Sequence, residues 1–215
     1  MNTRFPPPVV VTQTKPGAPL VVLLHGRGSD ASDIISLARL LPAAYAYVAL
    51  QAPIVEGTGY AWFANRGIGR PVAESLAETM NWFDDWLNDY REPKQPVSVV
   101  GFSGGAAFAG GLMLAHPDRY VGTAILRGNL PFEAGLATEP SQLVGHRVFV
   151  SHGRHDTVIP RELLDRTWTY LTEQSGASVT TQRDNSGHEL TMPTVNALNA
   201  WLLHTPPNIV QGIQT

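Results

Sequence analysis

Short apolar runs alternate with longer amphipathic stretches along this chain, and the two follow different periods. Residues 9–12 predict an edge strand. Leu20–Leu24 predicts a buried one, because it is apolar at every position rather than at alternate ones, as strands covered on both faces tend to be. Residues 33–41 predict a helix with Ile34, Leu37, Leu40 and Leu41 to one side. Residues 47–50 predict another strand, followed by a Gly- and aromatic-rich loop through Gly69. Val72, Leu76, Met80, Phe83, Leu87 and Tyr90 recur at spacings of three and four, which predicts a long helix stopping before Pro93. Val97–Phe102 predicts a strand and Gly104–Ala115 a small-residue helix ended by His116 and Pro117. Strands at 121–126 and 148–151, a helix at 161–171, a last strand at 179–182, a last helix at 194–203 and an irregular tail from Thr205 complete the series. Strands alternating with helices imply an α/β fold, a mostly parallel sheet with helices on both faces.

Composition narrows the class. A chain of 215 residues, 43% hydrophobic and 15% charged, suits one globular domain spanning 1–215 rather than a disordered one. A formal charge of −3 without any basic run offers nothing to nucleic acid or an anionic membrane. The absence of cysteine excludes disulfides, thiolate metal sites and a cysteine nucleophile. No stretch matches a signal peptide or a membrane span, so a cytoplasmic protein without membrane insertion is expected.

The informative segment is Gly101-Phe102-Ser103-Gly104-Gly105, with a β-branched strand leading in and a small-residue helix leading out. A serine with glycines two residues away on each side, in that context, fits a nucleophile elbow; the alternative is a Gly-rich turn with an exposed serine. Serine needs a base, and the base an orienting carboxylate, in the chain order Ser, Asp/Glu, His. Asp156 follows the strand at 148–151, and His188 lies in the loop before the last helix. Asp156 could instead be a turn or N-cap residue before the helix near Pro160, and His188 could be an ordinary loop histidine. Glu189 and Asp184 are rival acids, but both lie in or beside the His188 loop. His152, His155 and Asp156 form a weak metal alternative; His25, His116, His146 and His204 suit structural or exposed places. The turn His25-Gly26-Arg27-Gly28 follows the first buried strand, and its backbone could supply one of the two N–H donors that an oxyanion needs. Arg27 and Gly104 are the candidate donors, although a plain strand-to-helix turn explains the same glycines.

Four segments together resemble the phospholipase/carboxylesterase family of small α/β-hydrolases, which includes acyl-protein thioesterases and bacterial carboxylesterases. They are 24–28, 101–105, 151–160 and 187–190, with Ala61-Trp62-Phe63 as a further element near the family's substrate pocket. The resemblance implies an α/β-hydrolase fold without a large cap domain, with Ser103, Asp156 and His188 as the triad. It also implies the Arg27 and Gly104 amides as oxyanion hole, and no metal or organic cofactor. Two departures stand out. Family members often carry Gln where this chain has Gly104, and a Ser-Gly pair where it has Arg127-Gly128-Asn129.

The expected activity is hydrolysis of short- to medium-chain carboxylic esters, with a small-molecule ester as the partner. Trp62, Phe63, Leu130, Phe132, Val158 and Ile159 are candidates for an apolar acyl pocket, core packing being the alternative for each. A lysophospholipase or acyl-thioesterase with the same triad, a non-catalytic ligand-binding protein, and a peptidase or dienelactone-type hydrolase are the rival functions. A homodimer is left open.

Overall fold

Strands that are apolar at every position need cover on both faces, and this chain supplies it with helices on each side. The computed structural model describes residues 5–204; the first four residues and the tail from Thr205, expected to be irregular, lie outside them. The strands are β1 (Val10–Gln13), β2 (Leu20–Leu24), β3 (Ala46–Leu50), β4 (Ile54–Glu56), β5 (Gly59–Ala61), β6 (Val97–Phe102), β7 (Gly122–Leu126), β8 (Arg147–Gly153) and β9 (Ser178–Asp184). The helices are α1 (Ala31–Ile34), α2 (Ala73–Tyr90), α3 (Gly104–Ala115), α4 (Arg161–Thr169) and α5 (Met192–Leu203). Seven strands form one sheet in the order β1-β3-β2-β6-β7-β8-β9, parallel throughout except that β1 runs antiparallel along β3.

The pleat divides each buried strand between two cores. Val22, Leu24, Val48, Leu50 and Val99 face α2 and α3, while Val21, Leu23, Tyr47, Ala49 and Val100 face α1 and α5. The apolar stripe of α2 is wider than its period suggests, because Trp82 and Trp86 are buried beside Leu76, Met80, Phe83 and Leu87. The small residues of α3 allow close approach: Phe108 stacks on Trp62 at 4.7 Å and meets Phe83 edge-on at 5.8 Å. β9, at the sheet's edge, alternates exposed and half-buried positions instead of running apolar.

Three local departures have physical reasons. The helix expected at 33–41 begins earlier, because the Asp30 carboxylate accepts from the Asp33 N–H at 3.0 Å, and it tightens into a 3-10 turn over Ile35–Leu40. The loop after β3 contains the hairpin β4–β5, which is tied to the chain after β2 through Gly28 N–H to Tyr60 O (2.9 Å) and Tyr60 N–H to Ser29 O (3.0 Å). The last helix begins at Met192, where the Thr191 hydroxyl caps the Thr194 N–H.

Burial also sets an acid limit. His146 and His152 are buried, and desolvation pushes each imidazole down to about 4. An unfolded histidine binds its proton near pH 6.5, so the unfolded chain takes up protons first as the pH falls. Stability is therefore full above about pH 6.5 and declines from there toward about pH 4. Calorimetry across that window is expected to show a falling melting temperature, and a shallower fall for His146→Gln.

Candidate active site

Parallel strands bring their C-terminal ends to one edge, and the candidate residues gather there. Ser103 joins β6 to α3 at φ 53°, ψ −115°, a conformation that L-residues rarely hold. Its N–H donates to Leu126 O at 2.9 Å, which ties the turn to the end of β7. The flanking glycines are steric requirements. A Cβ at Gly101 would stand 2.1 Å from Gly105 O, and one at Gly105 would stand 2.3 Å from Leu24 O. The Gly-rich turn is thus a strained elbow wedged against β2, not a loose surface loop.

The loops after β8 and β9 complete a chain of hydrogen bonds. The Ser103 hydroxyl stands 2.8 Å from His188 Nε2, and His188 Nδ1 stands 2.8 Å from Asp156 Oδ2. The other carboxylate oxygen of Asp156 accepts the Val158 and Ile159 N–H groups at 2.9 and 3.0 Å. Asp156 therefore turns the chain toward α4, as its alternative reading expected, and holds the imidazole as well. Burial pushes its carboxyl upward, but the His188 hydrogen bond and the two amides outweigh that, and the net shift is downward. The His188 side chain is 18% exposed and that of Asp156 is fully buried, so the pair opens toward the cleft only at the imidazole.

The rival acids have other work. Asp184 binds Arg127, Ser186, Thr191 and Thr194, and a Glu189 oxygen accepts the Gly187 N–H. His152 turns its Nε2 to Gly128 O (3.3 Å) and its ring to Trp168, away from the carboxylate work of Asp156. Among the described residues no group of three His, Cys, Asp or Glu is arranged to hold a metal ion.

Beside Ser103, the backbones of Gly104 and Arg27 abut: a Cβ built on Gly104 would lie 3.1 Å from the Arg27 nitrogen. Neither the Arg27 nor the Gly104 N–H donates to a protein acceptor among the described residues. His25 sets the turn: its Nδ1–H donates to Gly26 O at 2.7 Å, while its Nε2 accepts the Ala52 N–H at 3.0 Å. The Ala52 bond requires Nε2 to be unprotonated, and burial lowers the imidazole's pKa accordingly. The Gly26 carbonyl and the Arg27 N–H belong to one peptide and point opposite ways, so this bond also aims the Arg27 N–H. The Arg27 guanidinium pairs with Glu56 of β4.

A cleft of about 1040 Å³ opens over Ser103 and His188. Phe63, Val158 and Ile159 line it as expected. Trp62, Leu130 and Phe132 do not. Trp62 is buried behind the turn at 25–28, donating its indole N–H to His25 O at 2.8 Å. Leu130 is fully buried against Gly110 of α3, and Phe132 packs edge-on to Tyr170 under the Arg166 guanidinium. In all three the bulk is spent on the core, the alternative noted for each. The walls missed from the sequence are Ile34, Leu37 and Leu40 on one side and Leu190, Met192 and Val195 on the other. The first three were visible as one stripe of a helix, and the others only as apolar residues soon after His188.

A comparison with protein families places residues 6–204 in the phospholipase/carboxylesterase family. The chain is 24% identical to the putative hydrolase MhqD of Bacillus subtilis (strain 168) over 186 residues, 85% of this chain and 91% of that one. Its fold matches the Bacillus cereus carboxylesterase with a TM-score of 0.78 at 22% identity, covering 93% of this chain and 94% of that one. It matches a carboxylesterase from Mesorhizobium loti with a TM-score of 0.77 at 25% identity, covering 86% and 88%. With an α/β-hydrolase sheet and a family match running nearly from end to end, this chain belongs to the phospholipase/carboxylesterase family of ester hydrolases.

Proposed function

We propose that the protein is a serine carboxylesterase that hydrolyses short- to medium-chain carboxylic esters through an acyl-enzyme on Ser103. The carrying observation is the continuous line from Ser103 Oγ through His188 to Asp156, with both links at 2.8 Å. His188 Nε2 takes the hydroxyl proton as Ser103 attacks the ester carbonyl, forming a tetrahedral oxyanion that the Arg27 and Gly104 amides receive. The imidazolium then gives its proton to the departing alcohol. A water enters, loses its proton to His188 and attacks the acyl-enzyme, releasing the acid and restoring the serine. Asp156 keeps Nδ1 protonated and offsets the positive charge of the imidazolium; its depressed pKa suits an acid that stays ionised throughout. The Arg27–Glu56 pair stands on the rim of the cleft, away from this proton path.

The apolar walls of the cleft support an uncharged acyl group beside Ser103. A panel of p-nitrophenyl esters, acyl thioesters, lysophospholipids and amides tests the assignment. Esters are expected to give the highest kcat/KM. A preference for thioesters or lysophospholipids would replace the substrate class while keeping the triad, and amide cleavage above ester cleavage would overturn the esterase assignment.

A further inference from the structure

The structure assigns Arg127 as a positioning residue for the proposed reaction: its buried guanidinium sets where the His188 imidazole stands relative to Ser103. The inference rests on the triad proposed above and concerns a residue that touches none of its members through a side chain.

The segment that leaves β7 is bonded to the Ser103 turn, to strand β8 ahead of the Asp156 loop, and to the His188 loop. Leu126 O accepts the Ser103 N–H at 2.9 Å, and the Arg127 N–H donates to Ser151 O of β8 at 2.9 Å. Arg127 takes φ 51°, a left-handed conformation unusual for a side chain of its size. From there its fully buried side chain reaches the loop between β9 and α5. Its Nε–H donates to Glu189 O at 3.0 Å, the carbonyl of the residue after His188. Its Nη2 donates to Asp184 Oδ2 at 2.6 Å and to Thr194 Oγ1 at 3.0 Å.

Asp184 extends the grip. Its Oδ2 also accepts the Thr191 hydroxyl at 2.5 Å and the Thr194 hydroxyl at 2.9 Å, and its Oδ1 accepts the Ser186 hydroxyl at 2.5 Å and the Ser186 N–H at 3.2 Å. One guanidinium thus holds the start of the His188 loop, its exit into α5, and the peptide beside His188 itself. The loop needs such a hold because it springs from β9, the edge strand, with a neighbour on one side only.

Stability alone is a poor reason for this arrangement. Arg127 is a fully buried charge whose Nη1 has no partner among the described residues, and apolar replacements of buried ion pairs are often neutral or stabilising. Its geometry instead links the serine's loop to the histidine's. An error of about 1 Å between reacting groups costs about 100-fold in rate.

The test uses the full chain carrying Arg127→Lys, and separately Arg127→Met combined with Asp184→Asn, which removes both charges together. Lysine keeps the charge that meets Asp184 but lacks the planar fork that presents Nε–H to Glu189 O and Nη2 to Asp184 together. Melting curves, kcat and KM on a p-nitrophenyl ester, and the downfield proton resonance of the His188–Asp156 hydrogen bond are measured well below the transition. The double variant is expected to lose on the order of 100-fold in kcat with KM within about threefold, and the lysine variant about tenfold. The resonance should broaden or vanish in the folded double variant. A folded double variant with native kcat and an unchanged resonance overturns the inference, whatever its melting temperature. If that variant does not fold, native kcat in Arg127→Lys overturns it. The triad reading fails separately, if ester turnover in the native background survives Ser103→Ala.

Discussion

Ser103→Ala is expected to lower kcat on esters by about 10⁶-fold while leaving the protein folded. Among the described residues the hydroxyl makes one side-chain hydrogen bond, to His188, and the turn around it is fixed by main-chain contacts instead. Removing it therefore takes away the nucleophile and little else. Turnover should not reach zero against water, because the Arg27 and Gly104 amides remain in place to hold an oxyanion. Ser103→Gly adds a second readout. At φ 53° a side chain is strained, by roughly 1–3 kcal/mol for residues in sparsely populated conformations, and glycine relieves that. The glycine variant should be as inactive as the alanine one and melt no lower than it, despite glycine's greater freedom in the unfolded chain. Equal activity of either variant with the native protein would remove Ser103 from the reaction.

Asp156→Asn is expected to lower kcat by about 10⁴-fold with KM nearly unchanged. The asparagine oxygen can still accept the Val158 and Ile159 N–H groups, so the turn toward α4 survives. Its NH₂ group then faces His188 Nδ1, which must accept rather than donate. The imidazole proton moves to Nε2, where it points at Ser103 Oγ and blocks the proton transfer that the attack requires. The loss comes from a wrong tautomer in nearly native geometry. Steady-state kinetics together with a melting curve separates this from unfolding. A loss confined to KM would contradict it, since the carboxylate lies fully buried behind the imidazole.

Much of this architecture was legible because local signals agreed with one another. Val97–Phe102 is apolar at nearly every position, Gly101 and Gly105 bracket Ser103, and a run of small residues follows, so strand, elbow and helix were all visible in one segment. Asp156 and His188 were legible through their places behind β8 and β9, since a doubly covered parallel sheet gathers such loops at one edge. What stayed hidden depends on contacts far apart in sequence. The β4–β5 hairpin has three residues per strand and leans on Gly28 and Ser29 for its position. Trp62 looked like a pocket aromatic; its indole N–H needed a partner, and a buried carbonyl at His25 supplied it. Leu40 and Leu37 share a predicted helical stripe, yet the tightening into a 3-10 turn leaves one half exposed and the other buried. Arg127 stood out only as a departure from the family's Ser-Gly pair; what it holds was not legible, since its partner Asp184 is 57 residues away.

Ester turnover by the proposed route requires covalent chemistry at one hydroxyl. Treatment of the native protein with a fluorophosphonate, followed by intact mass and peptide mapping, should show one adduct, carried by Ser103, appearing as ester turnover disappears. Loss of turnover with the label on another residue, or undiminished turnover after complete labelling of Ser103, would contradict it.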